Sequence, residues 1–512
     1  MYKYGAFLYL ENKLWQIKKN NIRADQKWKE DYSQWYLDIV EAAGLAENSS
    51  VRGCMIIKPW GYAIWENFQK ELDRMIKETG HVNAYFPMFI PKSFFDKEAE
   101  HVEGFAKESA VITHHRLKLN EETHKLQVDP EAKLEEELVV RPTSETIIYD
   151  SYSRWIKSYR DLPLLLNQWA NVVRWELRTR PFLRTAEFLW QEGHTAHATF
   201  EEADSHARKM LSVYQRFAED YLAIASIPGT KSESEKFAGA YSTYTLESMM
   251  QDGKALQVCT SHNLGDHFAK AFDIQFQDKD GELKYVWQTS WGLSTRMIGA
   301  LIMVHSDDFG LVLPPRIAPI QAIIVGIWKN DEEKEIVLNK AKEIEANFKS
   351  NNIITKIDDR DFLTPGERFF EWEKKGVPVR IEIGPKDILN ESVVLVRRDT
   401  REKSQVKISD LSNHLKNVLD QIQQSLFEKS KDFLKKNIYI VNSYEELKDV
   451  VENKNGFALA LWDGEKESEE KVKEETKATI RCLPFDQQEN ISGNCVVSGK
   501  TAKYRAIFAK AY

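Results

Sequence analysis

The stretch NQWANVVRWELRTRPFLRTAEFLWQEGH, residues 167–194, decides the fold. Residues 169–177 mix aromatic and β-branched side chains, which predicts a buried strand. Side chains alternate along a strand, so Arg174 and Glu176 are predicted to project from one face. A loop containing Arg184 follows, and FLWQEGH then begins a second strand. The stretch therefore predicts a hairpin.

The inner face of this predicted hairpin carries a mixed set of charges. The set is Arg174, Glu176, Arg184, Glu192 and His194. Burying unpaired charge is costly, so these side chains need partners. One explanation is a ligand that is anionic at one end and cationic at the other, such as a nucleotide together with an amino acid. The other is a structural salt-bridge network between the two strands, and the hairpin alone leaves both open.

Several short segments resemble the class II aminoacyl-tRNA synthetases. The pattern Arg-x-Glu, a loop with a second arginine and a returning strand resembles motif 2 of that class. The segments RPTSE (141–145), NVVRWE (171–176), PFLRT-x-EF (181–188) and WQEGH (190–194) are similar to those of prolyl-tRNA synthetases. The similarity extends from about residue 31 to the C-terminus. It implies the archaeal/eukaryotic-like type, which lacks the editing insertion of the bacterial type.

Length and composition agree with a multidomain globular protein. A chain of 512 residues is too long for one core, and three or four domains are expected. The sequence shows neither an apolar run of roughly 20 residues nor a signal peptide, so we expect no membrane association. The four cysteines have no C-x-x-C spacing, which favours a reducing cytoplasm. The net charge of −8 argues against an indiscriminate nucleic-acid binder but permits a local basic face.

The resemblance also implies a fold class, which is α/β and α+β in several domains. A class II antiparallel-sheet catalytic domain is expected over residues 31–315, and the proline-rich segment PPRIAP (314–319) marks its end. An α/β anticodon-binding domain follows over 316–425 and a small α+β domain over 426–512. Residues 1–30 have no counterpart in the family and form an N-terminal extension of unknown role.

The segment AYFPMFIPKSFF (84–95) resembles motif 1, which implies a homodimer. Pro87 cannot donate to a sheet ladder, so an edge strand without a partner is the alternative. The polar residues 100–138 are predicted to form a surface hairpin or flap.

The reaction implied by the resemblance is ATP-dependent ligation of L-proline to tRNA(Pro) through prolyl-adenylate, with Mg²⁺ bridging the phosphates. The segment VWQTSWGLSTRMIGALIMVHSD (286–307) resembles motif 3, a strand followed by a buried helix. The residues implied for proline binding are Thr143, Glu145, Arg174, Glu192, His194 and His262. Those implied for ATP binding are Arg174, Arg184, Thr185, Gln257, Thr260, Ser294 and Arg296. Catalytic roles fall on Arg174, Arg296 and Glu176.

Some of these residues also have an ordinary structural interpretation. Thr143 is well placed to cap a helix. Cys259 and His262 are spaced like half of a metal site, but no second pair lies near them in the sequence. The family instead places His262 in the substrate pocket.

In the predicted anticodon-binding domain, exposed Arg360, Lys386, Arg397 and Arg398 are expected to contact phosphate. Glu382 is expected to accept a hydrogen bond from a guanine edge. The alternative is an ordinary solvated charged surface.

The C-terminal unit departs from the pattern of its family. Many members hold a zinc ion there with four cysteines, but Asp463, Ser468 and Ser498 stand at three of those positions and only Cys495 remains. Structural zinc needs thiolate or imidazole ligands, so we expect no zinc. The resemblance also implies that Tyr512 reaches toward the active site. The segment GNCVVSGKT (493–501) has one residue too many for a P-loop and is predicted to be a turn.

Two other functions are compatible with a synthetase-like sequence. A catalytically idle paralogue should lose Arg174, Arg296 or the proline pocket, and these residues are present. The second is a class II synthetase of threonine or serine specificity; threonine recognition in that family uses a zinc site of one cysteine and two histidines, which the sequence does not assemble. Pyrophosphate exchange screened over the amino acids distinguishes these functions.

Overall fold

The computed structural model describes residues 27–96 and 108–512. Most of the predicted N-terminal extension, residues 1–30, therefore lies outside the described residues, and only the short helix α1 (Lys27–Glu30) belongs to it. The predicted flap at 100–138 is described from residue 108.

The N-terminal unit contains α-helices packed on antiparallel strands. Its further helices are α2 (Tyr32–Ala42), α3 (Pro59–Lys77), α4 (Lys92–Asp96), α5 (Glu145–Trp155), α6 (Phe200–Arg216), α7 (His267–Ala271) and α8 (Arg296–His305). Its strands are β1 (Ala46–Asn48), β2 (Met55–Ile57), β3 (Val82–Asn83), β4 (Phe89–Pro91), β5 (Ala110–His114), β6 (Leu117–Asn120), β7 (Lys125–Val128), β8 (Lys133–Val140), β9 (Leu164–Val173), β10 (Glu187–His197), β11 (Ile227–Thr230), β12 (Ser242–Met249), β13 (Ala255–Gly265), β14 (Gln275–Gln277), β15 (Leu283–Tyr285) and β16 (Trp287–Ser294).

The central sheet of this unit confirms the expected antiparallel architecture. Its strands lie in the order β11-β12-β13-β16-β10-β9-β3, and every neighbouring pair from β11 to β9 is antiparallel. The motif 3 segment forms the strand β16 and the helix α8, as predicted. Residues Met297 to His305 of α8 are all buried, which places this helix inside the core.

The decisive hairpin is present, but its first strand was predicted too late in the sequence. β9 begins at Leu164 and ends at Val173, so Arg174 and Glu176 follow the strand instead of lying on it. The aromatic and aliphatic residues that suggested a strand beyond this point, Trp175 and Leu177, are exposed by 54% and 72%. The chain turns at this end because the N–H of Trp175 bonds to the carbonyl of Glu108 instead of to β10.

The predicted flap is a small β structure beside the central sheet. β4, β8 and β5 form a three-stranded sheet in that order, and β6 pairs with β7 in a separate hairpin. β4 is an edge strand of this sheet, and Pro87 precedes it. The prediction of a surface hairpin is confirmed for the described part of this segment.

The middle unit has the predicted α/β pattern. Its strands are β17 (Ala322–Gly326), β18 (Thr355–Asp358), β19 (Val379–Ile383), β20 (Ser392–Arg397) and β21 (Lys403–Lys407), and its helices are α9 (Asp331–Ser350), α10 (Pro365–Lys374), α11 (Pro385–Leu389) and α12 (Leu411–Lys436). The sheet order is β18-β17-β19-β20-β21, with β17 parallel to both of its neighbours. Because α12 crosses residues 425 and 426, the expected domain boundary falls inside one continuous helix.

The C-terminal unit extends the central sheet of the N-terminal unit. Its elements are β22 (Ile438–Val441), α13 (Tyr444–Asp449), β23 (Phe457–Trp462), α14 (Lys466–Thr476), β24 (Thr479–Pro484) and β25 (Tyr504–Ala509). The order β22-β23-β25-β24 continues directly into β11, so one sheet of eleven strands spans both units. Across residues 27–96 and 108–512, no helix is long and apolar enough to cross a membrane.

Candidate active site

A cavity of about 270 Å³ opens on the central sheet where β12, β13, β16 and β10 lie side by side. It brings together ten of the residues expected to bind proline or ATP. They are Thr143, Glu145, Arg174, Glu192, His194, Gln257, Thr260, His262, Ser294 and Arg296. Residues from five separate parts of the sequence therefore meet in one place.

One end of the cavity is acidic. Glu192 is 2% exposed, and its Oε1 accepts hydrogen bonds from Ser144 Oγ (2.5 Å) and Gln168 Nε2 (2.8 Å). Glu145 is also buried, and the Thr143 hydroxyl donates to it. This fixes two carboxyl groups in a pocket that is largely shielded from solvent.

His194 shares the acidic end with Glu192. Its Nε2 lies 3.0 Å from Glu192 Oε2, and the two residues are two apart on β10. Burial alone would lower the pKa of His194, but the hydrogen bond and the charge of Glu192 raise it above its ordinary value. A protonated His194 would donate to Glu192 and hold its carboxylate in place.

Basic residues also line the cavity, and Arg174 lies close enough to Glu145 and Glu192 for their charges to act on it. The guanidinium of Arg174 lies 5.6 Å from the ring centroids of both Phe188 and Trp190, and its Nε donates to the carbonyl of Pro142 at 3.0 Å. Arg296 stands at the start of α8, where the helix N-terminus favours anions. Burial, together with the charges of Arg174 and Arg184, lowers the pKa of Arg296 to about 10.

Polar and aromatic groups complete the lining of the cavity. The Nδ1 atom of His262 lies 2.9 Å from Thr243 Oγ1, and the ring of Phe237 stacks on His262 at 4.5 Å between centroids. Burial raises the pKa of the Cys259 thiol well above its ordinary value, so this lining residue is not a thiolate nucleophile. The lining residues are therefore suited to binding and polarising a ligand, and not to nucleophilic attack on it.

Comparison with known proteins agrees with this geometry. Residues 126–305 match the family "tRNA synthetase class II core domain (G, H, P, S and T)", and residues 321–418 match "Anticodon binding domain". Residues 444–512 match "Prolyl-tRNA synthetase, C-terminal". The Proline--tRNA ligase of Bacteroides fragilis is 58% identical over 489 residues, which are 95% of this chain and 98% of that protein. The chain belongs to the prolyl-tRNA synthetases.

Other relatives show the same extent of similarity. The Proline--tRNA ligase of Porphyromonas gingivalis is 58% identical over 483 residues, which cover 94% of this chain and 98% of that protein. The Proline--tRNA ligase of Flavobacterium psychrophilum is 58% identical over 484 residues, with the same two shares of 94% and 98%. The similarity thus covers all three units of the fold.

Three of the residues predicted for the synthetase site do not line the cavity. Glu176 and Arg184 lie in the loop between β9 and β10, where their charged atoms are 3.7 Å apart. Thr185 is buried, and its hydroxyl donates to the carbonyl of Glu187 at 2.7 Å. The predicted inner face is wrong for Glu176 and Arg184, because both residues follow the end of β9 and precede the start of β10.

The helix cap predicted for Thr143 is wrong by one residue. Ser144 is the N-cap of α5, and its hydroxyl donates to Glu192 instead of accepting from the helix. The side chain of Thr143 is left to bond to Glu145.

Several lining residues were not predicted. Phe188 and Trp190 share the cavity face of β10 with Glu192 and His194, and the two-residue period of the strand was a signal that could have found them. Lys231, Glu235 and Phe237 come from the segment after β11, and no local pattern marks them.

The middle unit contains a second, basic cavity of about 200 Å³. Its lining includes Arg380, Arg397, Arg398, Arg401 and Lys403, with Trp372 and Glu373 beside them. Two of the five residues predicted to contact the anticodon, Arg397 and Arg398, therefore lie at this cavity.

The prediction of exposed arginines in the middle unit is wrong in its detail. Arg360 is paired with Asp358 at 2.6 Å and with Glu371 at 2.7 Å. Arg398 is 4% exposed and binds Asp307 of the N-terminal unit at 2.6 Å. Both arginines are held in ion pairs, which a sequence pattern does not reveal.

The remaining predicted residues of the middle unit differ in their surroundings. Arg397 is paired with Asp399 at 2.7 Å, and Glu382 is paired with Arg380 at 2.8 Å. Lys386 is exposed, as expected.

In the C-terminal unit, three of the four positions expected for zinc ligands form a hydrogen-bonded group. Ser468 Oγ donates to Asp463 Oδ1 at 2.6 Å, and Ser498 Oγ donates to Asp463 Oδ2 at 2.5 Å. Burial would raise the pKa of Asp463, but these two hydroxyls lower it, so the side chain is a carboxylate. Two hydroxyls, one carboxylate and the thiol of Cys495 do not make a tetrahedral zinc site. The segment 493–501 forms turns, as predicted, with a single bridge between Asn494 and Thr501.

The last residue of the chain lies against the N-terminal unit. The N–H of Tyr512 donates to the carbonyl of Ala255 at 3.1 Å. The guanidinium of Arg180, from the loop between β9 and β10, lies 5.6 Å from the centroid of the Tyr512 ring. Tyr512 therefore contacts the loop between β9 and β10 and does not line the cavity itself.

Proposed function

We propose that the chain ligates L-proline to tRNA(Pro) in two steps, first forming prolyl-adenylate from proline and ATP and then transferring proline to the tRNA 3′ end. The observation that supports this most directly is the order of charged groups along the cavity face of β10. Arg174 lies over Phe188 and Trp190, and Glu192 with its partner His194 follows on the same strand. An amino acid joined to a phosphate ester carries a cation and an anion that these groups complement.

At the acidic end, we assign Glu145 and Glu192 to the secondary ammonium of proline. This ammonium has two N–H donors, and a buried carboxylate is a strong acceptor for them. Thr143 and His194 would orient the two carboxylates, since both contact them directly. His262, held by Thr243 and Phe237, would close the side of the proline ring.

At the basic end, Arg174 would hold the α-phosphate and the proline carboxylate, and Arg296 the γ-phosphate of the substrate MgATP. In the first step a carboxylate oxygen of proline attacks the α-phosphorus, and the bond to the bridging oxygen of pyrophosphate breaks. Negative charge develops on the transferring phosphoryl group and on pyrophosphate, and fixed guanidinium groups stabilise it. Gln257, Thr260 and Ser294 supply polar contacts for the nucleotide. The loop between β9 and β10, which contains Glu176, Arg184 and Thr185, would cover the bound nucleotide.

Proline-dependent exchange of pyrophosphate into ATP, screened over twenty amino acids, tests the first step. We expect exchange with proline and much slower exchange with other amino acids. The proposal fails if proline supports no exchange above the background without amino acid. Aminoacylation of purified tRNA(Pro) then tests the second step.

We assign tRNA recognition to the basic cavity of the middle unit, where Arg401 and Lys403 lie beside Trp372 and Glu373. Cationic side chains contact RNA phosphates, and carboxylates accept from guanine. Lys403→Ala should reduce aminoacylation several-fold and leave pyrophosphate exchange unchanged. Lys407→Ala, an exposed lysine on the same strand, is the matched control.

A homodimer is supported by the hairpin β6–β7. Leu117, Leu119, Leu126 and Val128 are each more than half exposed, and the strand register places Leu117 opposite Val128 and Leu119 opposite Leu126. These four side chains share one face, and a large exposed apolar patch marks an interaction surface. Leu119→Glu combined with Leu126→Glu should convert a dimer to a monomer in light scattering.

We further propose the domain roles and the type of enzyme. Residues 31–315 would carry catalysis, 316–425 the tRNA contacts and 426–512 a supporting unit, with reaction in the cytoplasm. The segment from β10 to β16, residues 187–294, contains the four strands that line the cavity, β10, β12, β13 and β16, together with the elements that join them. This supports the type without an editing insertion.

A further inference from the structure

Three charged residues form a buried cluster beneath the cavity. Lys231 Nζ donates to Glu247 Oε1 at 2.8 Å and to the carbonyl of Arg481 at 2.8 Å. Arg481 donates to Glu247 Oε2 from Nε at 3.1 Å and from Nη2 at 3.0 Å. We name this group the 231–247–481 triad. It joins the N-terminal unit, which contributes Lys231 and Glu247, to the C-terminal unit, which contributes Arg481.

The triad is fully removed from solvent at its centre. Glu247 is 0% exposed, and the side chains of Lys231 and Arg481 are 3% and 10% exposed. Burial alone would raise the pKa of Glu247, but Lys231 and Arg481 lower it, so the residue is a carboxylate. Two cations and one carboxylate leave a net charge of +1 in the interior.

The triad adjoins the part of the cavity that we assign to phosphate. Lys231 lines the cavity itself, and its two acceptors account for two of its three N–H groups. Glu247 lies opposite Gln257 in the register of β12 and β13, and Gln257 also lines the cavity. Both Glu247 and Arg481 act electrostatically on Arg296. Their effects have opposite signs, and both show that the triad lies within electrostatic range of Arg296.

Arg481 reaches this position because the two units share one sheet. β24 pairs with β11 through Gly229 opposite Pro484 and Thr230 opposite Leu483. A Cβ atom on residue 229 would lie 2.6 Å from the carbonyl oxygen of Leu483, so glycine is required for this approach. The close pairing brings β24 near enough for the Arg481 guanidinium to bond to Glu247.

We propose that Arg481 is a positioning residue for ATP binding: it fixes Glu247 and, through it, Lys231 at the phosphate end of the cavity. This inference rests on the proposed function. Its consequence is that the C-terminal unit contributes to the affinity for ATP although none of its residues lines the cavity. A buried ion cluster is not required for stability alone, because apolar side chains of the same volume serve as well or better. The position of the triad beside the assigned phosphate site indicates a role in binding ATP.

The test measures proline-dependent pyrophosphate exchange with Arg481→Met, which keeps the apolar stem and removes the guanidinium. We expect the KM for ATP to rise about tenfold, the size expected when a charge-assisted hydrogen bond is lost, with the KM for proline unchanged. Arg481→Lys keeps the charge but not the paired bonds, and should restore most of the affinity for ATP. Arg505→Met, an arginine on the neighbouring strand β25 that does not line the cavity, is the matched control.

The outcomes are distinguishable from each other. A fall in kcat with both KM values unchanged would show that Arg481 serves folding alone and would overturn the inference. An unchanged KM for ATP in Arg481→Met, or an equal rise in Arg505→Met, would also overturn it. If Arg481→Met does not fold, Arg481→Lys decides the question. We then expect a smaller, two- to threefold rise in the KM for ATP and an unchanged KM for proline. Absence of exchange in the wild-type protein would instead refute the proposed function.

Discussion

The hydroxyl of Tyr512 donates a 2.5 Å hydrogen bond to the carboxylate of Asp252. This contact ties the last residue of the chain to the turn between β12 and β13. The ring of Tyr512 also lies beside Arg180, whose backbone exchanges two hydrogen bonds with Arg184. The C-terminus is thus connected to the loop that carries Arg184.

Tyr512→Ala should weaken this loop and reduce kcat/KM for ATP about fivefold in pyrophosphate exchange, since one ring contact and one hydrogen bond are lost. Tyr512→Phe keeps the ring and removes only the hydroxyl, so its loss should be smaller. Equal activity of Tyr512→Ala and the wild type would contradict the connection.

Arg174→Ala and Arg296→Ala should each reduce proline-dependent exchange by about 10²–10³, because each removes a fixed charge that stabilises the transition state. Arg178→Ala, an exposed arginine of the same loop, should exchange at nearly the wild-type rate. Circular dichroism checks that each variant is folded. Near-wild-type exchange in either of the first two variants would refute its phosphate role.

Alanine should be activated at a measurable rate, because a pocket built for proline discriminates against a smaller side chain by only about 1–3 kcal/mol for each missing methylene. We expect this chain not to hydrolyse alanyl-tRNA(Pro), as the proposed type has no editing insertion. Deacylation of purified alanyl-tRNA(Pro) by the protein alone would show that the proposed type is wrong.

Stability should fall in mild acid because of a buried histidine cluster. His206 Nε2 lies 3.2 Å from His81 Nε2, and the rings of His197 and His206 are 4.8 Å apart. Burial lowers the pKa of His81 and of His197 to about 4, and burial with the neighbouring histidines lowers that of His206 to about 2. The unfolded chain, with histidine pKa values near about 6.5, takes up protons first.

The free energy of folding contributed by keeping these three histidines uncharged is therefore fully present above pH about 6.5. It is lost as the pH falls toward about 4. Between pH about 6.5 and 5, each histidine should cost about 1–2 kcal/mol of unfolding free energy. The midpoint of thermal unfolding, measured against pH, should fall less steeply in His206→Gln than in the wild type. His414→Gln, on the exposed side of α12, should keep the wild-type slope.

Dialysis against a chelator should leave the thermal midpoint and the exchange activity unchanged, since the Asp463 group is satisfied by hydroxyls. Ser468→Ala should lower the stability of the C-terminal unit by about 1–3 kcal/mol, because Trp462 Nε1 and Asp463 both lose a partner. Elemental analysis of protein purified without chelators is the direct check. One zinc per chain, released only on unfolding, would contradict this expectation.

The sequence predicted the elements well where one local pattern determined them. Strand β16 and helix α8 follow the apolar pattern of a single segment. The hairpin was displaced because Trp175 and Leu177 are apolar but exposed, and no pattern in the sequence distinguishes them from buried residues.

The site was predictable where side chains alternate on one strand or resemble a family motif. Contacts between distant segments were not. The pairing of β11 with β24 joins residues about 250 positions apart in sequence, as the bond from Lys231 Nζ to the Arg481 carbonyl also shows. Arg398 was expected to be exposed, but its partner Asp307 is 91 residues away.

The continuity of the central sheet has a consequence for shortened forms of the protein. A chain that ended at residue 436 would lack β24, and β11 would become the open edge of the remaining sheet. Unpaired N–H and C=O groups along such an edge recruit strands from other molecules. Loss of the C-terminal unit would thus lead to aggregation rather than to a smaller working enzyme.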